Sequence, residues 1–196
     1  NAVIASWWDY GYWITTLSDR TTIVDNATLS TKQIQQMAKM LMTTPDNSWN
    51  MLKEMNADYV VIFLSVQKIN DNVEDKLYVL GKGGDESKSP WFAQIGDFPV
   101  ERFFESDLAT PNNYFDEQTM LGQMIPFTTA VYYQPQTQEN SLSYKPGFVK
   151  IISKDIKFDS DDDPLKLVYA SPSFINEKNG PMNIVLVYEV NKNFLP

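Results

Sequence analysis

Near the start of the chain two tryptophans stand directly before a carboxylate, in Trp7-Trp8-Asp9-Tyr10-Gly11-Tyr12. An indole offers one N–H donor and no acceptor, whereas an ionised carboxylate only accepts. Two donors beside one acceptor complement a small hydroxyl, which donates one hydrogen bond and accepts others. A structural reading competes with this one: tryptophans packed into a core, with Asp9 capping a helix through its side-chain oxygen. Even then each buried indole N–H needs a partner, and a buried carboxylate must be paired or hydrogen-bonded.

Composition narrows the chemistry available. The 196 residues include no histidine and no cysteine. That removes the commonest general base, every His-dependent triad, thiolate nucleophiles, thiolate metal sites and disulfides. Catalysis by this chain alone would rest on carboxylates, lysine or tyrosine. Sixteen basic against 25 acidic residues give a net charge of −9. A surface that acidic repels phosphate backbones and is not drawn to anionic lipid, so no nucleic-acid partner is expected. The acidic run Asp159-Ser160-Asp161-Asp162-Asp163 lacks the glycine and terminal glutamate of an EF-hand loop and reads as a solvated turn. Apolar residues make up 43% and charged residues 21%, as in globular domains. No apolar run approaches the ~18 residues needed to span a bilayer.

The elements that must position these residues can be read from local pattern. The length fits one large domain or two small ones. Val3 to Ala5 is a short strand, Trp7 to Leu17 a helix, and Thr21 to Asp25 a β-branched strand. Ser30 and Gln33 form a capping box ahead of a helical stripe of Ile34, Met37, Ala38 and Leu41. Pro45 opens a further helix, with Trp49, Leu52 and Met55 facing inward. Asp58 to Leu64 is an apolar strand suited to burial on both faces. After Gly83-Gly84 a helix runs through Trp91 to Ile95 and stops at Gly96. Asn113 to Met124 forms one more helix, closed by Pro126. Beyond it Thr128–Tyr133, Phe148–Ile152, Lys166–Tyr169 and Asn183–Val190 read as strands.

The expected fold is therefore mixed α/β. A helix-rich core around a small sheet occupies residues 1–125, and a β-rich C-terminal part, residues 126–196, packs on it. No repeat and no flexible linker divides the two. The opening Asn1-Ala2-Val3-Ile4-Ala5-Ser6 reads as a strand cut from a longer polypeptide.

Trp7-Trp8-Asp9-Tyr10-Gly11 resembles the signature of the oligosaccharyltransferase catalytic subunit, the enzyme of protein N-glycosylation. The resemblance continues through Arg20-Thr21-Thr22-Ile23-Val24-Asp25-Asn26. The family's second motif, Asp-x-x-Lys-x-x-x-Met/Ile, aligns with Asp85, Lys88 and Phe92, and Trp91 to Gly96 and Glu105-Ser106-Asp107 follow in the eukaryotic order. Coverage is good over residues 3–107 and weak beyond.

What the resemblance implies is the soluble C-terminal domain of a membrane glycosyltransferase, facing the extracytoplasmic side: an archaeal cell exterior, or the ER lumen in a eukaryote. The absence of cysteine fits an archaeal enzyme. The full-length enzyme moves a lipid-linked oligosaccharide onto the asparagine of Asn-x-Ser/Thr. Its Mn or Mg ion and its donor site lie outside this segment, which catalyses nothing alone and holds no metal. Trp7, Trp8, Asp9, Lys88 and Phe92 would bind the acceptor polypeptide, supported by Tyr10, Gly11 and Asp85.

Two departures stand out. Phe92 replaces the usual Met or Ile that touches the acceptor threonine methyl. Pro90 interrupts the second motif, so either the helix is kinked there or Ser89 caps a helix beginning at Pro90, leaving Asp85 and Lys88 in a loop. The alternative function is a non-catalytic carbohydrate- or peptide-binding module using its aromatics as platforms. Asn26-Ala27-Thr28 is itself a glycosylation sequon, and Tyr132-Tyr133 reads as a strand pair.

Overall fold

An apolar run such as Tyr59 to Leu64 requires cover on both faces and neighbours on both edges. It forms the first half of the longest strand, β3 (Tyr59–Asp71). On one edge, β1 (Val3–Ser6) lies parallel to it, with Ile4 opposite Tyr59 and Ser6 opposite Val61. Further along that edge, β4 (Glu74–Val79) takes over antiparallel from Val66 onward. The other edge carries β10 (Gly180–Val190), antiparallel from Tyr59 to Lys68. The sheet widens through β2 (Thr21–Thr22) beside β1 and β9 (Leu165–Ala170) beside β10. Beyond β4 come β8 (Val149–Ser153) and β5 (Phe127–Val131), completing eight strands. A separate hairpin joins β6 (Gln136–Gln138) to β7 (Ser141–Ser143). The computed structural model describes residues 2–71, 74–79, 83–106, 108, 110–131, 136–138, 141–143, 149–153, 156–171 and 180–196.

The helices are α1 (Trp8–Ser18), α2 (Thr31–Met42), α3 (Pro45–Glu54), α4 (Asp85–Ile95), α5 (Asn113–Gln118) and α6 (Met120–Met124). Ser30 caps α2 as its spacing predicts, its Oγ accepting from the Gln33 N–H at 3.3 Å. The helix buries Met37, Ala38 and Leu41 of the expected stripe, together with Met40 and Met42. Pro45 opens α3, which buries Trp49 and Leu52. The Trp49 indole donates to the Asn191 carbonyl at 2.7 Å, fastening α3 to the residues just after β10. This mixed α/β architecture is the fold class read from the sequence.

Two local expectations are corrected, and one left open is decided. The helix expected from Asn113 to Met124 breaks at Thr119, whose hydroxyl donates to the Phe115 carbonyl at 2.7 Å and accepts from the Gly122 N–H at 2.9 Å. One side chain thus ends α5 and starts α6, a use of threonine that competes with helix continuation. The strand expected over Thr21–Asp25 stops at Thr22, because the backbone of Val24 and Asp25 turns to pack against α1. Pro90 does not start a helix but sits inside α4. Its ring removes the N–H that would have reached the Glu86 carbonyl, and the Ser89 hydroxyl donates to that carbonyl instead, at 2.8 Å. The pair Tyr132-Tyr133 lies outside the described residues.

The acidic run is tied down at its base: Lys166 pairs with Asp161, and the Asn191 amide donates to the carbonyls of Asp161 and Asp163 at 2.8 and 2.9 Å. Because β10 runs between β3 and β9, strands from either side of residue 125 share one ladder. Limited proteolysis of the chain is expected to release no pair of separately folded halves split near residue 126. Two stable fragments that part on gel filtration would contradict this.

Candidate functional site

The site begins with a gap in the sheet. β1 stops opposite Val61 and β4 starts opposite Val66, so the same edge of β3 has no strand partner between them. Backbone N–H groups buried there must find other acceptors. The first two residues of α4 supply them. Asp85 Oδ2 accepts from the Phe63 N–H at 2.9 Å, and Glu86 Oε1 accepts from the Ser65 N–H at 3.3 Å. Gly84 makes room for this: a Cβ on it would lie 2.0 Å from Glu86 Oε2. Both carboxyls are buried, and loss of hydration dominates their titration. Burial pushes Asp85 up to about 6 and Glu86 up to about 8.

Anchoring the first turn of α4 at the gap aims the rest of its face. At about 100° per residue Asp85, Lys88 and Phe92 share one side of a helix, and here each meets a different partner. Asp85 meets the sheet. Lys88 Nζ donates to Asp9 Oδ2 at 2.5 Å and to the Tyr10 hydroxyl at 2.9 Å, with the Tyr10 ring centre 4.7 Å away. Phe92 lies against Trp7, ring centres 4.4 Å apart. The Tyr10 hydroxyl in turn donates to Asp85 Oδ1 at 2.8 Å. A continuous relay therefore runs from the Phe63 N–H through Asp85, Tyr10 and Lys88 to Asp9. Burial and the adjoining Asp85 carboxylate hold the Tyr10 phenol far above its usual range, so it stays protonated and donates.

The other wall comes from the end of β1 and the start of α1. Trp7 is buried and Trp8 half-buried, ring centres 6.3 Å apart. Asp9 does not cap α1: Trp7 occupies the cap position in extended conformation, without a side-chain bond. Asp9 and Lys88 keep 29% and 20% of their side chains exposed, enough to meet a ligand. Among the described residues only Lys88 donates to the Asp9 carboxylate, through Oδ2, and none accepts from the Trp7 or Trp8 indole N–H. Gly11 permits the close fit behind them, since a Cβ there would fall 2.2 Å from the Val24 carbonyl oxygen.

The residues singled out in the sequence thus come together, with one shift of role. Phe92 is fully buried, so it backs Trp7 and does not itself line the surface. Sequence reasoning missed Glu86, and it gave Ser89 only as an alternative helix cap and Asn26 only as part of the matching stretch and as a sequon. Adjacent acids opening a helix hint at Glu86, and a serine before an intrahelical proline hints at Ser89. Among the described residues no cluster of three or more carboxylates could hold a metal ion. Asp9 is committed to a lysine, and Asp85 and Glu86 to backbone amides. These residues do not fit a divalent cation.

Fold and site together define a mixed α/β domain whose aromatic and charged cluster lies wholly within residues 1–93. That segment matches the STT3/PglB/AglB core domain family. Over 148 residues, 74% of the chain, the sequence is 30% identical to the dolichyl-diphosphooligosaccharide–protein glycosyltransferase subunit STT3 of Saccharomyces cerevisiae. Over 107 residues, 52% of the chain, it is 32% identical to subunit STT3B of Arabidopsis thaliana. The chain spans 17% and 15% of the lengths of these two relatives. A solved C-terminal globular domain of oligosaccharyltransferase from Archaeoglobus fulgidus matches with a TM-score of 0.42 and 17% identity, covering 79% of this chain and 84% of that one. No helix among the described residues is long and apolar enough to cross a membrane.

Proposed function

We propose that this chain is the acceptor-recognition segment of an oligosaccharyltransferase catalytic subunit, which transfers a lipid-linked oligosaccharide to the asparagine of Asn-x-Ser/Thr. The observation that carries the reading is the pairing of Asp9 with Lys88 beside two indoles whose N–H groups no described residue occupies. Lys88 and the relay behind it fix Asp9 by Oδ2. Oδ1 then accepts a hydrogen bond from the acceptor Ser or Thr hydroxyl, while Trp7 and Trp8 donate to its oxygen. Phe92 sets the angle of Trp7 from behind.

The lipid-linked donor and the Mn or Mg ion, which would supply Lewis-acid chemistry, belong to other parts of a longer membrane protein, with this segment on the extracytoplasmic side. Alone, the chain binds acceptor weakly and transfers nothing. The test compares Asn-x-Thr with Asn-x-Val peptides in the full-length protein. Valine keeps the shape of threonine and lacks the hydroxyl, which at a half-exposed site is worth about one net hydrogen bond. The expected drop in kcat/KM is at least ~10-fold. Equal turnover of the two peptides would remove hydroxyl recognition from this site.

A further inference from the structure

Asn26 is 17 residues from Asp9 in sequence and lies in the turn after β2, yet its carboxamide spans the first turn of α1. Its Nδ2 donates to the Asp9 main-chain carbonyl at 3.0 Å, and its Oδ1 accepts from the Tyr12 N–H at 3.0 Å. The turn itself is held in shape: Asp25 Oδ1 accepts from the Ala27 N–H at 2.9 Å, and the Asp25 carbonyl accepts from the Thr28 N–H at 3.1 Å. The backbone of Val24 and Asp25 meanwhile presses on Gly11, where a Cβ would lie 2.6 Å from Asp25 Cα. Segment 24–26 is therefore a backboard laid flat against the turn that carries Asp9.

We infer that Asn26 is a positioning residue that sets the main chain of Asp9, as Lys88 sets its carboxylate. The inference rests on the reading that Asp9 meets the acceptor hydroxyl. Only a side chain with one donor and one acceptor at this reach satisfies both backbone groups. Aspartate keeps the acceptor for Tyr12 but loses the donor to Asp9, and alanine loses both.

Because Asn26-Ala27-Thr28 also has the form of a glycosylation sequon, substituting Asn26 removes two properties at once. Thr28→Ala separates them, abolishing the sequon and keeping the clamp. The experiment measures kcat and KM for an Asn-x-Thr peptide in full-length protein carrying N26D, N26A, T28A, D9A or D9A with N26D. N26D is expected to raise KM about 5–10-fold with kcat within about twofold, the mark of weakened acceptor binding. T28A is expected to match the unsubstituted protein, and N26D to add less than about twofold in the D9A background, because coupled residues are not additive. Unchanged KM in N26D, an equal loss in T28A, or the same factor with and without Asp9 each overturns the inference.

Hydrogen exchange at the Tyr12 amide, read in the same preparations, tests the clamp apart from activity. N26A should lose at least about tenfold of its protection, and N26D should retain it. If D9A itself leaves kcat/KM unchanged, the acceptor reading fails. The Tyr12 amide still decides whether the clamp exists, and unaltered protection in N26A would dismiss it.

Discussion

Replacing Asp9 with alanine in the full-length protein is expected to lower kcat/KM for Asn-x-Thr peptides by at least ~10²-fold, a loss of about 2.7 kcal/mol of transition-state binding. Two effects act in the same direction. The substitution removes the one acceptor facing the ligand hydroxyl. It also strips Lys88, whose side chain is only 20% exposed, of its counter-charge. A half-buried ammonium facing a hydroxyl donor-acceptor is a worse neighbour for that hydroxyl than an ion pair is. Asp9→Asn keeps the Oδ1 acceptor while discarding the charge, so it should fall between alanine and the unsubstituted protein. Tryptophan fluorescence of the variants checks that the Trp7–Phe92 contact persists. Turnover by D9A within threefold of normal, with that signature intact, would sink the assignment of Asp9.

The second large effect concerns stability and pH. Glu86 titrates near 4.5 in an unfolded chain, and burial raises it to about 8 in the folded one, helped by the adjacent Asp85. A raised carboxyl binds its proton more tightly when folded, so its stabilising contribution is present below pH 4.5 and is lost as pH rises through 8. Asp85, raised from 3.8 to about 6, adds the same sign over a lower window. Asp58 works the other way: its bond from the Val3 N–H holds it below its usual range, and that contribution is lost only in acid. Urea unfolding of the chain between pH 5 and pH 8.5 should therefore show stability falling by a few kcal/mol, at roughly 1.4 kcal/mol per unit for each coupled proton.

Glu86→Gln keeps the acceptor for the Ser65 N–H and stays neutral. It is expected to lie close to the unsubstituted chain at pH 5 and exceed it by a few kcal/mol at pH 8.5. Glu86→Ala leaves that amide unpaired and should be the weaker variant at every pH. Parallel pH profiles for the unsubstituted chain and E86Q would show that the Glu86 carboxyl is not the group responsible.

Much of this molecule is written locally. The donor and acceptor complement of Trp7, Trp8 and Asp9 is a property of residue types. The i, i+3, i+7 spacing of Asp85, Lys88 and Phe92 needs only the pitch of a helix to become a face. The Ser30 cap, the α2 stripe and the apolar run of β3 are likewise short-range patterns, and the structure keeps them. What the sequence could not settle is whether the helix begins before Pro90, so that Asp85 and Lys88 join Phe92 on its face. A proline weighs against the helix in any window, and it is tolerated only because the neighbouring Ser89 hydroxyl serves the Glu86 carbonyl.

The tertiary structure alone decided the rest, because those features depend on which groups the sheet leaves unpartnered. The edge of β3 that carries β1 and β4 lies open only where β1 has ended and β4 has not begun, a coincidence between β1 at the start of the chain and the sequence neighbours β3 and β4. That opening gives Asp85 and Glu86 their anchoring role and buries them, shifting their titration. It also fixes the start of α4 so that Lys88 reaches an aspartate 79 residues away. Phe92 is carried inward to the back of Trp7 by the same placement. Asn26 becomes a clamp because Gly11 lets the turn after β2 close against α1. Local pattern specifies what each side chain can bond to; which buried donor is left waiting for it is set by the packing of distant elements.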